Sequence, residues 1–146
     1  MNPLFSPLDP PKASATKVVL LSERDDALRR ALGRALSVDG FSVITVANLA
    51  RAVAYLDEEF ENDHSDALPD VIVADIPPWG PEHDAAVSLV RRLARRVPVV
   101  AMTDLGASHF FLDGRRISMI EVVEKPIHAA DLRAAMLRVQ ARQLYH

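Results

Sequence analysis

The run Val71-Ile72-Val73-Ala74-Asp75, closed by Pro77-Pro78-Trp79-Gly80-Pro81, constrains this chain more than any other stretch. Proline and glycine at that density continue neither a strand nor a helix. A short apolar run bounded by turn residues reads as a strand buried on both faces, as in a parallel sheet. Ligands of open α/β sheets bind in the crevice outside the carboxyl ends of the strands. Asp75 therefore stands at the lip of that crevice. A carboxylate there can be a nucleophile, a metal ligand or a helix cap, and the rest of the chain decides which.

Four further strands are predicted: Lys17–Ser22, Phe41–Ala47, Val97–Thr103 and Met119–Glu124. Helical spacing links them. Leu28, Ala31, Leu32, Ala35 and Leu36 form one stripe, with Asp25 or Asp26 as cap and Gly40 as stop. Leu49, Ala52, Val53, Leu56 and Phe60 form the next, capped by Asn48, and residues 57–68 read as acidic and polar. A third helix is expected over Asp84–Arg96, with Ala86, Val87, Leu89, Val90 and Leu93 inward. A short one is expected over Ser108–Leu112, and a last over Asp131–Gln143 with Leu132, Ala135, Met136 and Val139 inward.

Strands alternating with helices imply a parallel sheet with right-handed crossovers. The expected fold class is therefore α/β: a flavodoxin-like (βα)5 doubly wound parallel sheet in strand order 2-1-3-4-5. Residues 17–143 make the domain, and residues 1–16, with Pro3, Pro7, Pro10 and Pro11, read as a flexible arm. In that order Glu23-Arg24-Asp25 lies beside Asp75, with Thr103 and Lys125 across the crevice.

Composition removes several functions. A net charge of −3 gives no electrostatic case for nucleic acid. The absence of Cys excludes disulfides and thiol chemistry, and a cytoplasmic location is expected. No apolar run is long enough to span a membrane. There is no Gly-rich phosphate loop after the first strand, which weakens a nucleotide-binding or enzymatic reading. His64, His83, His109, His128 and His146 are scattered and read as surface residues.

An acidic cluster after strand 1, Asp75 closing Pro-Asp-Val-Ile-Val-Ala-Asp-Ile, Thr103 closing Pro-Val-Val-Ala-Met-Thr and Lys125-Pro126 after strand 5 form one pattern. The intervals Asp75–Thr103 and Thr103–Lys125 suit it as well. The whole resembles the receiver domain of two-component response regulators over roughly residues 17–143. The resemblance implies a signalling switch rather than an enzyme. Asp75 would be the phosphoacceptor, supplied by a histidine kinase or phosphotransfer protein of a phosphorelay. Lys125 would pair with the phosphoryl oxygens, and the Thr103 hydroxyl would swing towards them. Mg²⁺ would be held by Glu23, Asp25, Asp75 and the main-chain carbonyl of Pro77. The output surface would be the fourth helix, fifth strand and fifth helix, over residues 107–124 and 128–143. A homodimer is allowed. The chain ends soon after the last helix, as a stand-alone receiver or as part of a longer regulator.

Four features depart from the family pattern. Aligning Ala27-Leu28-Arg29-Arg30-Ala31-Leu32 with the family's first helix puts Glu23 at the first acidic position and Arg24 at the second, the main metal-ligand position. A guanidinium cannot ligate a cation. Arg24 is expected to pair with Asp75 in place of the metal; the alternative is that Arg24 faces solvent and Asp25 takes over as ligand. Asp104 stands where a small residue is usual. The Pro77–Pro81 loop lacks the family's Met-Pro-x-Met-Asp-Gly form, and Trp79 either covers the site or packs on the sheet end. Val122 replaces the usual aromatic switch residue; Phe110 and Phe111 are candidate substitutes, but as part of a short helix they read rather as core or partner-facing residues. Two functions follow from these residues: a phosphoacceptor switch, or a pseudo-receiver, short of normal Mg²⁺ binding, that acts as a constitutive protein-interaction domain.

Overall fold

A computed structural model of the chain describes residues 17–62, 68–78, 80–104 and 119–143. The elements run β1 (Val18–Ser22), α1 (Asp26–Val38), β2 (Ser42–Val46), α2 (Leu49–Glu61), β3 (Val71–Asp75), α3 (Pro81–Ala94), β4 (Val99–Thr103), β5 (Ile120–Glu124) and α4 (Ala129–Gln143). The strands form one parallel sheet in order β2-β1-β3-β4-β5. This is the doubly wound order expected from the sequence. The arm, the short helix over Ser108–Leu112, Trp79, Phe110 and Phe111 lie outside the described residues.

Strand side chains alternate between faces, so each strand feeds two cores. On one face Leu20, Ile72, Ala74, Val99 and Ala101 meet Leu56 of α2 and Val90 and Leu93 of α3. On the other, Val19, Leu21, Val73, Val100 and Met102 meet Leu32 and Leu36 of α1 and Leu132, Met136 and Val139 of α4. The central strands β3 and β4 are wholly buried, which is why they read as unbroken apolar runs. β2, at the sheet edge, exposes Ser42 and Thr45.

Local chemistry sets the boundaries. The Asp25 carboxylate accepts from the Leu28 N–H and caps α1, and the Asn48 side chain accepts from Arg51 N–H and caps α2. Gly40, at φ +100°, makes the turn after α1 that a Cβ would strain. The Asp70 carboxylate accepts from the Val18 N–H at 2.7 Å and ties the start of β3 to β1.

Some expectations are corrected. α3 begins at Pro81 rather than Asp84, because proline's fixed φ and missing N–H suit the first helical turn. It ends at Ala94. α4 starts two residues early, at Ala129, and the flanking residues of β1, β2, β4 and β5 fall outside the ladder. α2 continues through the acidic stretch to Glu61. Ala31 is exposed, and so is Phe60, whose ring lies under the Arg96 guanidinium at 5.0 Å instead of in the core. Among the described residues no helix is long and apolar enough to cross a membrane.

Candidate functional site

The parallel register carries the strand ends to one edge. Asp75 pairs in register with Met102, Ser22 with Ala74, and Thr103 with Glu124. Glu23, Asp75, Thr103 and Lys125 thus converge, the first three nearly inaccessible to solvent. Arg24 reaches the same point from the turn before α1.

Asp75 is held by two cations. Arg24 Nε donates to Oδ2 at 2.6 Å, and Lys125 Nζ donates to Oδ1 at 2.8 Å. The Asp75 side chain is 1% exposed, against 52% for Arg24 and 22% for Lys125. Burial pushes the Asp75 carboxyl up, but hydrogen bonds and charge from Arg24 and Lys125 outweigh it and hold the carboxyl below its ordinary value. The bond to Asp75 raises the Arg24 guanidinium, with the negative charges of Glu23 and Asp104 adding to it. Burial works against the Lys125 ammonium, yet Asp75 and Glu23 raise it above its usual value.

Glu23 lies beneath. Its Oε2 accepts from the Asp25 N–H at 3.0 Å, and its Oε1 is 3.5 Å from Lys125 Nζ. Burial raises its carboxyl, and the neighbouring Asp75 charge raises it further, so its protonated form is favoured relative to an exposed glutamate. Arg29 fastens this turn by donating to the Glu23 carbonyl at 2.8 Å. Among the described residues, Glu23 Oε1 and Thr103 Oγ1 are the buried side-chain polar atoms left without a hydrogen bond.

His83 is a correction. Expected on the surface, it is buried, and its Nδ1–H donates to the Pro77 carbonyl at 2.8 Å. The helix start explains the difference: with α3 begun at Pro81, His83 falls on the stripe of Ala86, Val90 and Leu93. Read with Pro81 as the first helical residue, the spacing alone finds it.

Metal-ligand chemistry can be tested against this arrangement. Both Asp75 oxygens accept from cations, Asp25 is used as a helix cap, and the Pro77 carbonyl accepts from His83. Among the described residues no cluster of three His, Asp or Glu side chains is placed to hold a metal ion. So arranged, the residues named for Mg²⁺ do not fit it, and the Arg24 guanidinium is bonded to one of the Asp75 oxygens. Val122 is part-buried against the α2–α3 core, so an aliphatic side chain fills the usual aromatic position.

No family model matches the sequence, and no curated protein matches it. Solved structures do. A response regulator receiver protein from Sinorhizobium medicae WSM419 is 24% identical, with 87% of this chain and 97% of that one covered at a TM-score of 0.62. A response regulator from Thermotoga maritima is 18% identical, covered over 87% and 99%, at 0.67. A structure described as adenylate cyclase from Rhodopirellula baltica is 20% identical, covered over 90% and 93%, at 0.69. The class these comparisons define is the α/β receiver fold of response regulators. This chain has that fold over nearly its whole described length.

Proposed function

We propose that this chain is a signalling receiver whose acceptor-position aspartate is held in an ion-pair clamp, and that it acts by binding a protein partner without metal-dependent phosphorylation. One observation carries the reading: both oxygens of Asp75 are bonded, to Arg24 at 2.6 Å and to Lys125 at 2.8 Å. A carboxylate so paired is a poor nucleophile, and the guanidinium supplies positive charge without the open coordination positions of a metal. The role is that of a switch or adaptor in two-component signalling, not an enzyme. Its partner-facing side is β5 with α4, where Glu121 is paired to Arg138 and Arg142 and Leu137 is exposed.

A specific observation favours a second reading, phosphoacceptance from a histidine kinase. Asp75 and Lys125 keep the strand-end geometry, and the buried Thr103 hydroxyl has no hydrogen bond to break before swinging towards a phosphoryl group. In that reading an Asp75 oxygen attacks the phosphorus of the kinase's phosphohistidine, the new O–P bond forming as the P–N bond breaks and the imidazole leaves.

Intact mass after incubation with acetyl phosphate, with and without Mg²⁺, on the natural chain and Asp75→Ala, separates the two. No mass gain is expected. A one-phosphoryl gain that needs Asp75 overturns the clamped reading and establishes the second.

A further inference from the structure

The exposed side of α1 carries a feature apart from the Asp75 site, sharing with it only Arg29. A groove of about 380 Å³ between α1 and the edge strand β2 is lined by Arg29, Arg30, Gly33, Arg34, Ser37, Val43 and Thr45. Three guanidiniums and two hydroxyls line it with no carboxylate. Arg29 is engaged by Asp26 and the Glu23 carbonyl. Arg30 and Arg34 are exposed and pair with no carboxylate among the described residues. They stand one helical turn apart, where like charges repel and cost helix stability.

Gly33 forms the floor. Its backbone is ordinary helix, so no turn demands glycine, and an interior helical glycine costs roughly 1 kcal/mol against alanine. An added Cβ would lie 3.7 Å from Thr45 Cγ2 and 4.0 Å from Val43 Cγ1, an ordinary contact that fills the groove. Two features that each weaken α1 therefore coincide: an uncompensated cation pair and a missing methyl. The first favours an anionic occupant, and the second leaves it room.

We infer that the α1–β2 groove is a docking site for an acidic segment of a partner protein. The shape decides among anions. From Arg30 to Ser37 the polar stripe runs along the helix for about 10 Å at 1.5 Å per residue. Carboxylates on alternate residues of an extended segment recur at about 7 Å, close to the rise of about 6 Å between Arg30 and Arg34. Donors spread along a line suit a chain of carboxylates, whereas a single phosphate needs donors that converge. Three arginines on a protein of net charge −3 are too few for the several phosphate contacts of a nucleic-acid site.

The test is fluorescence anisotropy with fluorescein-labelled hexaglutamate, hexaserine serving as control, on the folded chain at low and physiological salt. Hexaglutamate binds and hexaserine does not, and binding weakens with salt. Arg30→Glu with Arg34→Glu lowers affinity about tenfold or more. Gly33→Ala raises the melting temperature while weakening the peptide at least about threefold, a pairing that misfolding cannot produce. Unchanged binding in either variant overturns the proposal. So does displacement of the peptide by pyrophosphate or a DNA duplex at lower concentration, which would reassign the groove to phosphates.

Discussion

Arg24 and Asp75 stand 51 positions apart in the chain and meet at 2.6 Å, the guanidinium half in solvent and the carboxylate almost wholly out of it. The asymmetry fixes the direction of dependence. Asp75 has no water to fall back on if its partners leave, whereas Arg24 has.

Removing the guanidinium and supplying a carboxylate should open the site to metal. Arg24→Asp places a third acid beside Glu23 and Asp75, with Lys125 the remaining cation. Mn²⁺ binding near ~1 mM, a usual strength for weak carboxylate sites, is expected in the variant and not in the natural chain. Calorimetric titration checks it, and equal Mn²⁺ binding by both proteins removes the cation-replacement argument.

Loss of Asp75 should cost stability. Truncating one partner of a buried pair leaves the other charge uncompensated, typically at 3–5 kcal/mol. Arg24 is half exposed and Lys125 retains Glu23, so about 1–3 kcal/mol is expected for Asp75→Ala in urea unfolding. A more stable variant would mean that desolvation outweighs the pairing.

The pH dependence has two opposed parts. Asp75 is held below its ordinary value, so its stabilisation is complete above the unfolded carboxylate range and lost as pH falls through the lower folded value. Glu23 is raised, so its contribution is present in acid and lost as pH rises through its folded value. Glu23→Gln removes the second slope. As pH rises above the ordinary glutamate range the variant should gain stability relative to the natural chain, measured as the difference in urea unfolding free energies. A constant difference there would contradict the assignment.

The fold was legible because the central strands are buried on both faces. Val71–Asp75 and Val99–Thr103 have no polar side chain before their ends, and between helical stripes such runs read as strands of a parallel sheet covered on both faces. The convergence of Glu23, Asp75, Thr103 and Lys125 then follows from strand order alone. Boundaries were less legible: Pro81 reads as a loop residue by composition but serves as a first helical residue. His83 was missed for the same reason, since a helix begun three residues late puts it outside the stripe. Phe60 reads as core by spacing, yet a cation over its ring lets it stay at the surface.

His83 sets the path out of β3. Its Nδ1–H secures the carbonyl of Pro77, which follows the buried Ile76 and precedes Pro78. His83→Ala should cost about 1–2 kcal/mol, with His83→Gln, which keeps a donor, recovering part of it. Thermal unfolding of both variants checks this, and equal loss in the two would assign the effect to packing.

A cation that arrives on the chain behaves unlike one drawn from solution. Its local concentration beside Asp75 is set by a single residue of tether and not by the surrounding electrolyte. Chelators cannot strip it, and changes in free magnesium leave it in place. The carboxylate edge of this sheet is open to events at Arg24, among them the approach of another protein's acidic group competing for that half-exposed guanidinium.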